Sequence, residues 1–186
     1  MSICIEIENF SYTYQAQTSM VTHALKNISV EIKSGEIVGI VGQTGSGKST
    51  FAEAIAGLLP INQGSVTVCG FRLPEKSKPV CLLGKVGMVF QYPEQQLFAS
   101  TVAEDIAFGP RNMKLPESQI QMRVQQAMEE VGLKEQDGQK NPMCLSGGEK
   151  RKVAIAGVLA MQPEILILDE PLAGLDQRGK EDLLQM

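Results

Sequence analysis

A glycine-rich run in the first third of the chain has the residue types that hold phosphate groups. It reads Gly42, Gln43, Thr44, Gly45, Ser46, Gly47, Lys48 and Ser49, followed by Thr50. In this pattern, G-x-x-x-x-G-K-[ST], glycines let backbone N–H groups converge on phosphate oxygens, and the lysine ammonium reaches the outer phosphates. A flexible Gly/Ser turn beside a surface lysine is the alternative interpretation. The run predicts a nucleotide site, with the hydroxyl of Ser49 as a ligand of Mg²⁺.

Two adjacent acids form the second chemical feature. Asp169 and Glu170 follow an apolar run at 165–168, which predicts a buried strand. Carboxylates at the carboxyl edge of a sheet suit metal binding and proton abstraction. We expect Asp169 to hold the hydration shell of Mg²⁺ and Glu170 to orient and deprotonate a water molecule. Without the glycine-rich run, a capping or solvated acid pair would explain them equally well.

The segment Leu145, Ser146, Gly147, Gly148 and Glu149 predicts a helix start, with Ser146 as N-cap and Glu149 completing a capping box. It also resembles the signature motif of the ABC ATPases. In that family the serine hydroxyl and glycine N–H groups contact the γ-phosphate of ATP bound to the opposite subunit, which the resemblance implies for Ser146, Gly147 and Gly148. The family usually has Gln where Glu149 stands. We expect the additional charge to point outward.

Other positions follow the ABC ATPase pattern in order. Gln91 resembles the glutamine that reaches Mg²⁺ and the nucleophilic water, and Tyr14 the aromatic residue that stacks on adenine. Tyr12 is a weaker rival for that role, and either tyrosine could be ordinary strand packing. Residues 171–176 resemble the D-loop, whose last residue, Asp176, communicates across the dimer.

Residues 90–113 and 145–176 are similar to energy-coupling factor (ECF) transporter ATPases, and more to the second ATPase of the pair than to the first. The resemblance implies an ATP-hydrolysing translocase subunit, peripheral on the cytoplasmic face of the membrane. It would pair with a second ATPase subunit, as a hetero- or homodimer, beneath a transmembrane coupling protein that docks near 92–113. That protein would work with a membrane protein that captures vitamins or transition-metal ions. Residues 92–113 could equally be a connector with one amphipathic helix.

The elements that must position these residues can be predicted from periodicity and turn residues. We predict strands at 3–7, 27–32, 36–41, 64–70, 86–90 and 164–170, and helices at 48–60, 117–131, 148–160 and from 179. With the resemblance, this implies an α/β fold: a P-loop NTPase (RecA-like) core with an N-terminal antiparallel β subdomain. A helical subdomain carrying the ABC signature, at about 92–160, would be inserted in one nucleotide-binding domain spanning 1–186.

Composition narrows the classes of partner. The 186 residues are 43% hydrophobic and 20% charged, enough for one core without disulfides. A formal charge of −4 and no Lys/Arg block argue against nucleic acid as a partner. The cysteines, Cys4, Cys69, Cys81 and Cys144, lack metal-ligand spacing and suit reduced, buried thiols of a cytosolic protein. The amino terminus lacks signal-peptide regions and no apolar run is long enough to span a bilayer, so work at a membrane would need a partner.

The position of the only histidine in the sequence affects the expected rate of ATP hydrolysis. ABC ATPases carry a switch histidine after the D-loop, whereas His23 is the sole histidine here and precedes the glycine-rich run. We therefore expect a chain truncated at its carboxyl end that binds ATP but hydrolyses it poorly. Two alternatives stay open: a soluble ABC ATPase acting on ribosomes or DNA, and a fragment that binds ATP without hydrolysing it.

Overall fold

The computed structural model describes residues 2–14, 21–73, 82–175 and 177–184. Asp176 and Cys81, both singled out above, lie outside these ranges. The chain divides into two compact units, Met1–Leu83 and Gly84–Met186. No helix within the described ranges is long and apolar enough to cross a membrane.

The first unit is built on an antiparallel sheet. Its strands are β1 (Ile3–Tyr14), β2 (Thr22–Lys33), β3 (Ser65–Val68) and β4 (Phe71–Arg72), in the spatial order β2-β1-β3-β4. The core face follows the alternation of side chains along each strand, so that Ile5, Ile7, Val66 and Val68 are buried. Helix α1 (Lys48–Ile55) contacts β2 and β3. The predicted N-terminal antiparallel strands and the strand within 64–70 are confirmed.

The strand predicted at 36–41 is wrong. This segment has no strand assignment, and Ile37 and Val41 are almost fully exposed. An apolar run becomes a buried strand only where neighbouring strands accept its hydrogen bonds and cover both faces. Within the described residues, no strand pairs with it. The apolar residues at 36–41 therefore favour burial, but the described part of the chain leaves them exposed.

Helix α1 is shorter than predicted because Gly57 ends it. Gly57 has a positive φ of 72°. Its N–H donates to the Ala54 carbonyl at 3.0 Å, and the N–H of Leu58 donates to the Glu53 carbonyl at 2.9 Å. This is a Schellman motif, in which the left-handed residue satisfies the last carbonyl groups of the helix. The helix stops there rather than near Pro60.

The second unit combines helices with a two-stranded sheet. Its helices are α2 (Val102–Asn112), α3 (Glu117–Glu130), α4 (Gly147–Leu159) and α5 (Gln177–Leu184), with 3-10 turns at Pro93–Gln96, Glu135–Gln139 and Pro142–Cys144. Strands β5 (Val86–Val89) and β6 (Ile165–Leu168) are parallel. Buried side chains from α2, α3 and α4, among them Ile106, Val124 and Val153, form one core cluster. The helices predicted at 117–131 and 148–160 are confirmed.

Candidate functional site

The glycine-rich loop in the first unit is a close-fitting backbone cradle. Gly47 precedes α1 with φ of 92°, and a Cβ there would lie 2.5 Å from the carbonyl oxygen of Ala24. A Cβ on Gly42 would lie 2.5 Å from Oγ of Ser46. Gly47 therefore requires glycine, whereas a Cβ on Gly42 would require the Ser46 side chain to move. The remaining predicted residues are placed as follows: Gln43, Thr44, Gly45, Ser46 and Ser49 are exposed, and Thr50 is buried.

The loop carries the positive charge of Lys48 beside the N-terminus of α1. The Nζ of Lys48 donates to the carbonyls of Gly42 at 3.1 Å and Gln43 at 3.0 Å, so the ammonium lies over the loop. Helix α1 has neither an acid in its first turn nor a side-chain cap. The positive end of the helix is thus left to an external anion. Cradle, lysine and helix end together fit a phosphate chain.

Tyr14 lies beside the helix that follows the loop. Its Oη is 3.2 Å from Oγ1 of Thr50, a hydrogen bond between the end of β1 and the first turn of α1. Tyr12 meets the Tyr14 ring edge-on, with centroids 4.9 Å apart. Burial, and secondarily the neighbouring Tyr14, raises the pKa of Tyr12 above its usual value. The structure therefore brings Tyr14 to the glycine-rich loop and leaves part of its ring exposed for stacking.

The second unit brings Gln91 and Glu170 together. The parallel register pairs Val89 with Leu168, so the residues after both strands share one edge. The N–H of Asp169 donates to the Val89 carbonyl at 2.9 Å, and Nε2 of Gln91 donates to Oε2 of Glu170 at 2.8 Å. Glu170 has a positive φ of 48°, a conformation that costs a non-glycine residue energy and is enriched at functional sites. An exposed carboxylate oriented by an amide suits the positioning of a water molecule.

The donor types fit Mg²⁺. The predicted ligands Ser49, Gln91 and Asp169 offer oxygen atoms, which this hard cation prefers. Ser49 is exposed on α1 in the first unit, and Asp169 is half-buried after β6 in the second. Within the described ranges, no group of three or more His, Cys, Asp or Glu side chains could hold a metal.

The predicted capping box at α4 is confirmed. Oγ of Ser146 accepts from the Glu149 N–H at 3.3 Å, and Oε2 of Glu149 accepts from the Ser146 N–H at 2.9 Å. Oγ of Ser146 also donates to that carboxylate at 2.6 Å. These bonds, led by the one from the hydroxyl, lower the pKa of Glu149. The expectation that this charge points outward is wrong, because the carboxylate folds back onto Ser146. Gly147 and Gly148 are exposed, with open space where a Cβ would be.

Arg151 is a buried cation that the sequence reasoning missed. It is 5% exposed, and Nε and Nη2 donate to the two carboxylate oxygens of Glu94 at 3.1 and 3.3 Å. Its Nη1 donates to the carbonyls of Pro171 and Ala173 at 3.3 and 2.9 Å. Arg151 thus joins the segment after Gln91 to the loop after Glu170. The signal was available: Arg151 stands four residues before buried Ile155 on α4, and a cation on a buried helix face requires a partner.

The structure also shows the surroundings of Gly174 and of the sole histidine, His23. In the loop after Glu170, a Cβ on Gly174 would lie 3.2 Å from Cε1 of Tyr92, so the two segments tethered by Arg151 also touch there. His23 lies on β2, with Nδ1 3.1 Å from Oγ1 of Thr13 in an exposed pair.

This chain is similar to known proteins of one family. The family described as ABC transporter matches residues 25–173. The energy-coupling factor transporter ATP-binding protein EcfA2 of Clostridium acetobutylicum is 51% identical over 182 residues, 97% of this chain and 64% of the relative. EcfA2 of Clostridium perfringens is 50% identical over 182 residues, with the same coverage. The chain thus spans 64% of the length of these curated relatives.

Two solved structures are similar in fold to this chain. cbiO1 from Clostridium perfringens, described as part of the ABC transporter complex cbiONQ, is 41% identical with a TM-score of 0.85, covering 100% of this chain and 72% of that one. The ATP-binding cassette MJ0796, described as dimeric and bound to ADP and Pi, is 29% identical with a TM-score of 0.82, covering 97% and 80%. The predicted resemblance to ECF transporter ATPases, second of the pair, is confirmed, as is the α/β P-loop fold. On the family match over residues 25–173, this chain belongs to the ABC transporter family.

Proposed function

We propose that this chain is the ATP-binding part of a subunit that hydrolyses ATP to drive an ECF-type importer for vitamins or transition-metal ions. The observation that carries the proposal is the cradle of Gly42 to Lys48, whose glycines, ammonium and helix end fit a phosphate chain. The curated relatives are transporter ATP-binding proteins. They favour transport over the alternative of action on ribosomes or DNA.

In the proposed reaction, residues of the first and of the second unit have different roles. The loop 42–49 holds the phosphates and Tyr14 holds adenine. Glu170, oriented by Gln91, accepts the proton of the attacking water, while Ser49, Asp169 and Gln91 are the candidate ligands of Mg²⁺. The ion would neutralise developing charge on the phosphate oxygens.

A second ATPase subunit is part of the proposal. Ser146, Gly147 and Gly148 would contact ATP bound to that partner, and Asp176 would communicate across the dimer. The helix start of α4, with exposed glycine N–H groups, supports an anion contact. The carboxylate of Glu149 disfavours this anion contact, because it already accepts the hydrogen bond of the Ser146 hydroxyl and adds negative charge. Contact with the partner's nucleotide would therefore require the hydroxyl to exchange its acceptor.

Hydrolysis is tested by Glu170→Gln in the subunit purified with its second ATPase and membrane coupling protein. We expect kcat to fall by at least about 100-fold, the usual contribution of a general base, while ATP affinity is retained. Glu164→Gln is the matched control, because Glu164 precedes the other end of β6, where it pairs with Lys85 at 2.6 Å. Unchanged turnover in Glu170→Gln, or an equal loss in the control, would contradict the assignment.

The docking of the membrane protein is proposed at an aromatic pair. Phe98 and Phe108 are 63% and 49% exposed and meet edge-on with centroids 4.9 Å apart. The carboxylate of Asp105 accepts from the backbone N–H of Phe98 at 3.2 Å and of Ala99 at 2.8 Å, which fixes the loop that presents the pair. Exposed, rigidly held aromatic rings are typical anchors of protein interfaces. They support docking of a membrane partner at this surface, and the proposed subunit would then be peripheral, on the cytoplasmic face of the membrane.

Co-purification tests this docking site. Phe98→Ser with Phe108→Ser should reduce recovery of the coupling protein at least about tenfold, since loss of one or two anchors costs a few kcal/mol. Met122→Ser, which replaces an apolar side chain that is also about half exposed on α3, is the control. Full recovery with the double variant would place docking elsewhere.

A further inference from the structure

Two cysteines in the first unit face each other across neighbouring strands. Cys4 lies on β1 and Cys69 directly follows β3, and the register that pairs Ile5 with Val68 sets them opposite one another. Their Sγ atoms are 3.9 Å apart, and the Cys69 N–H donates to the Cys4 carbonyl at 2.8 Å. Both side chains are half-buried. The proposed nucleotide reaction uses neither of them.

Cys69 has a backbone conformation that is unusual for cysteine. Cys69 and Gly70 form the two-residue connection between β3 and β4, with φ of 48° and 77°. Positive φ at both central residues is typical of a type I′ turn, in which asparagine or aspartate followed by glycine is preferred. Cysteine is not among the residues that usually occupy the first central position of this turn. Its presence is better explained by its thiol than by the turn.

The distance is short enough for a covalent bond. Directly opposed residues in an antiparallel pair have Cα atoms about 4.5–5.5 Å apart, within the range of about 4.4–6.8 Å that disulfides span. Because a disulfide is about 2.05 Å long, the sulfur atoms need to approach by roughly 2 Å. Rotation of the two side chains, with a small adjustment of the turn, can supply that movement.

We propose that Cys4 and Cys69 are a redox-modification site that small-molecule disulfides of the glutathione type oxidise to an internal disulfide. One thiolate attacks the disulfide and releases one small thiol, leaving a mixed disulfide on the protein. The second thiolate attacks the protein sulfur of that mixed disulfide, forms the Cys4–Cys69 bond and expels the second small thiol. The protein loses two electrons and two protons, and the reagent becomes two thiols. The bond would tie β1 to the β3–β4 turn across 65 residues of sequence.

The test uses the chain with Cys81→Ser and Cys144→Ser, so that only the two facing thiols are present. After incubation with oxidised glutathione and acid quenching, we expect a mass loss of about 2 Da and a tryptic pair joined through Cys4 and Cys69. The Tm should rise by roughly 5 °C or more, because a loop of this length is closed, and dithiothreitol should reverse the change.

Single variants separate this outcome from ordinary thiol reactivity. Cys69→Ser should retain a glutathione adduct on Cys4, because no second thiol can displace it. Cys69→Asn, which suits the turn, guards against misfolding as the cause. Persistent glutathione adducts with both cysteines present, unmodified thiols, or links only between separate chains would each overturn the proposal. None of these outcomes depends on ATP binding.

Discussion

At the scale of single residues, the largest departure from expectation is Glu149. The sequence identified a capping box and a family position in the same five residues, and both interpretations concern the same hydroxyl. The structure shows the capping box formed, with the carboxylate bonded to the N–H and the hydroxyl of Ser146. The charge thus stabilises the start of α4 at the position where a partner's phosphate is proposed to bind.

Glu149→Gln should change the pH dependence of stability. The pKa of Glu149 is lower in the folded chain than its ordinary value of 4.5, because Ser146 donates to its charged form. The stabilisation is therefore complete above that ordinary pKa and is lost as pH falls through the lower, folded value. The Tm of the original chain should exceed that of Glu149→Gln at pH 7, and the difference should shrink on acidification below pH ~4.5.

Thermal melts between pH 7 and pH 3 measure this difference. Glu130→Gln, at the end of α3, controls for the loss of one carboxylate. A difference that stays constant across the range would show that the Glu149 charge does not support the helix start.

At the scale of elements, helix ends and buried polar contacts decide details that hydrophobic periodicity does not. Periodicity located α3 and α4, because their buried stripes face one core. It extended α1 to Pro60 since it ignored the left-handed Gly57. It also missed the ion pair of Arg151 and Glu94, because partners 57 residues apart in sequence carry no local signal.

Gly57→Ala should destabilise the first unit. The substitution forces alanine to a φ of 72° and places a Cβ 3.1 Å from Cδ1 of Leu82. We expect a loss of about 1–2 kcal/mol in the free energy of unfolding, measured by urea titration. Gly39→Ala is the control, because Gly39 has open space around a Cβ and no positive φ. Equal stability of the two variants would argue against the Schellman end of α1.

Arg151→Met should lower the free energy of unfolding by more than Gly57→Ala does. Removing the cation leaves the largely buried carboxylate of Glu94 and the carbonyls of Pro171 and Ala173 without a donor, at about 3–5 kcal/mol. Adding Glu94→Met should restore part of that loss, because no unpaired charge then remains. Lys150→Met, one residue earlier, controls for net charge. Additive losses in the double variant, measured by urea denaturation, would show that the two residues act independently.

At the scale of the whole molecule, local motifs and most strands were predictable, whereas the pairing of the segment 36–41 was not. Glycine spacing, strand alternation and the order of motifs depend on neighbouring residues, so they predicted the glycine-rich loop before α1, β1 to β3, β5, β6 and the family. The apolar segment 36–41 depends on strands elsewhere, and among the described residues it is unpaired and exposed. The single-domain division with a helical insertion stays a prediction, as do the roles of the site residues.

The central claim is that the loop of residues 42–49 binds the phosphates of ATP, and calorimetric titration of the chain with MgATP tests it most directly. Lys48→Ala should weaken binding by about 10–100-fold, the value of one charge-assisted contact. Lys26→Ala, which removes an exposed lysine from β2 of the same unit, should bind as the original chain does. Equal affinity of Lys48→Ala and the original chain would contradict the account.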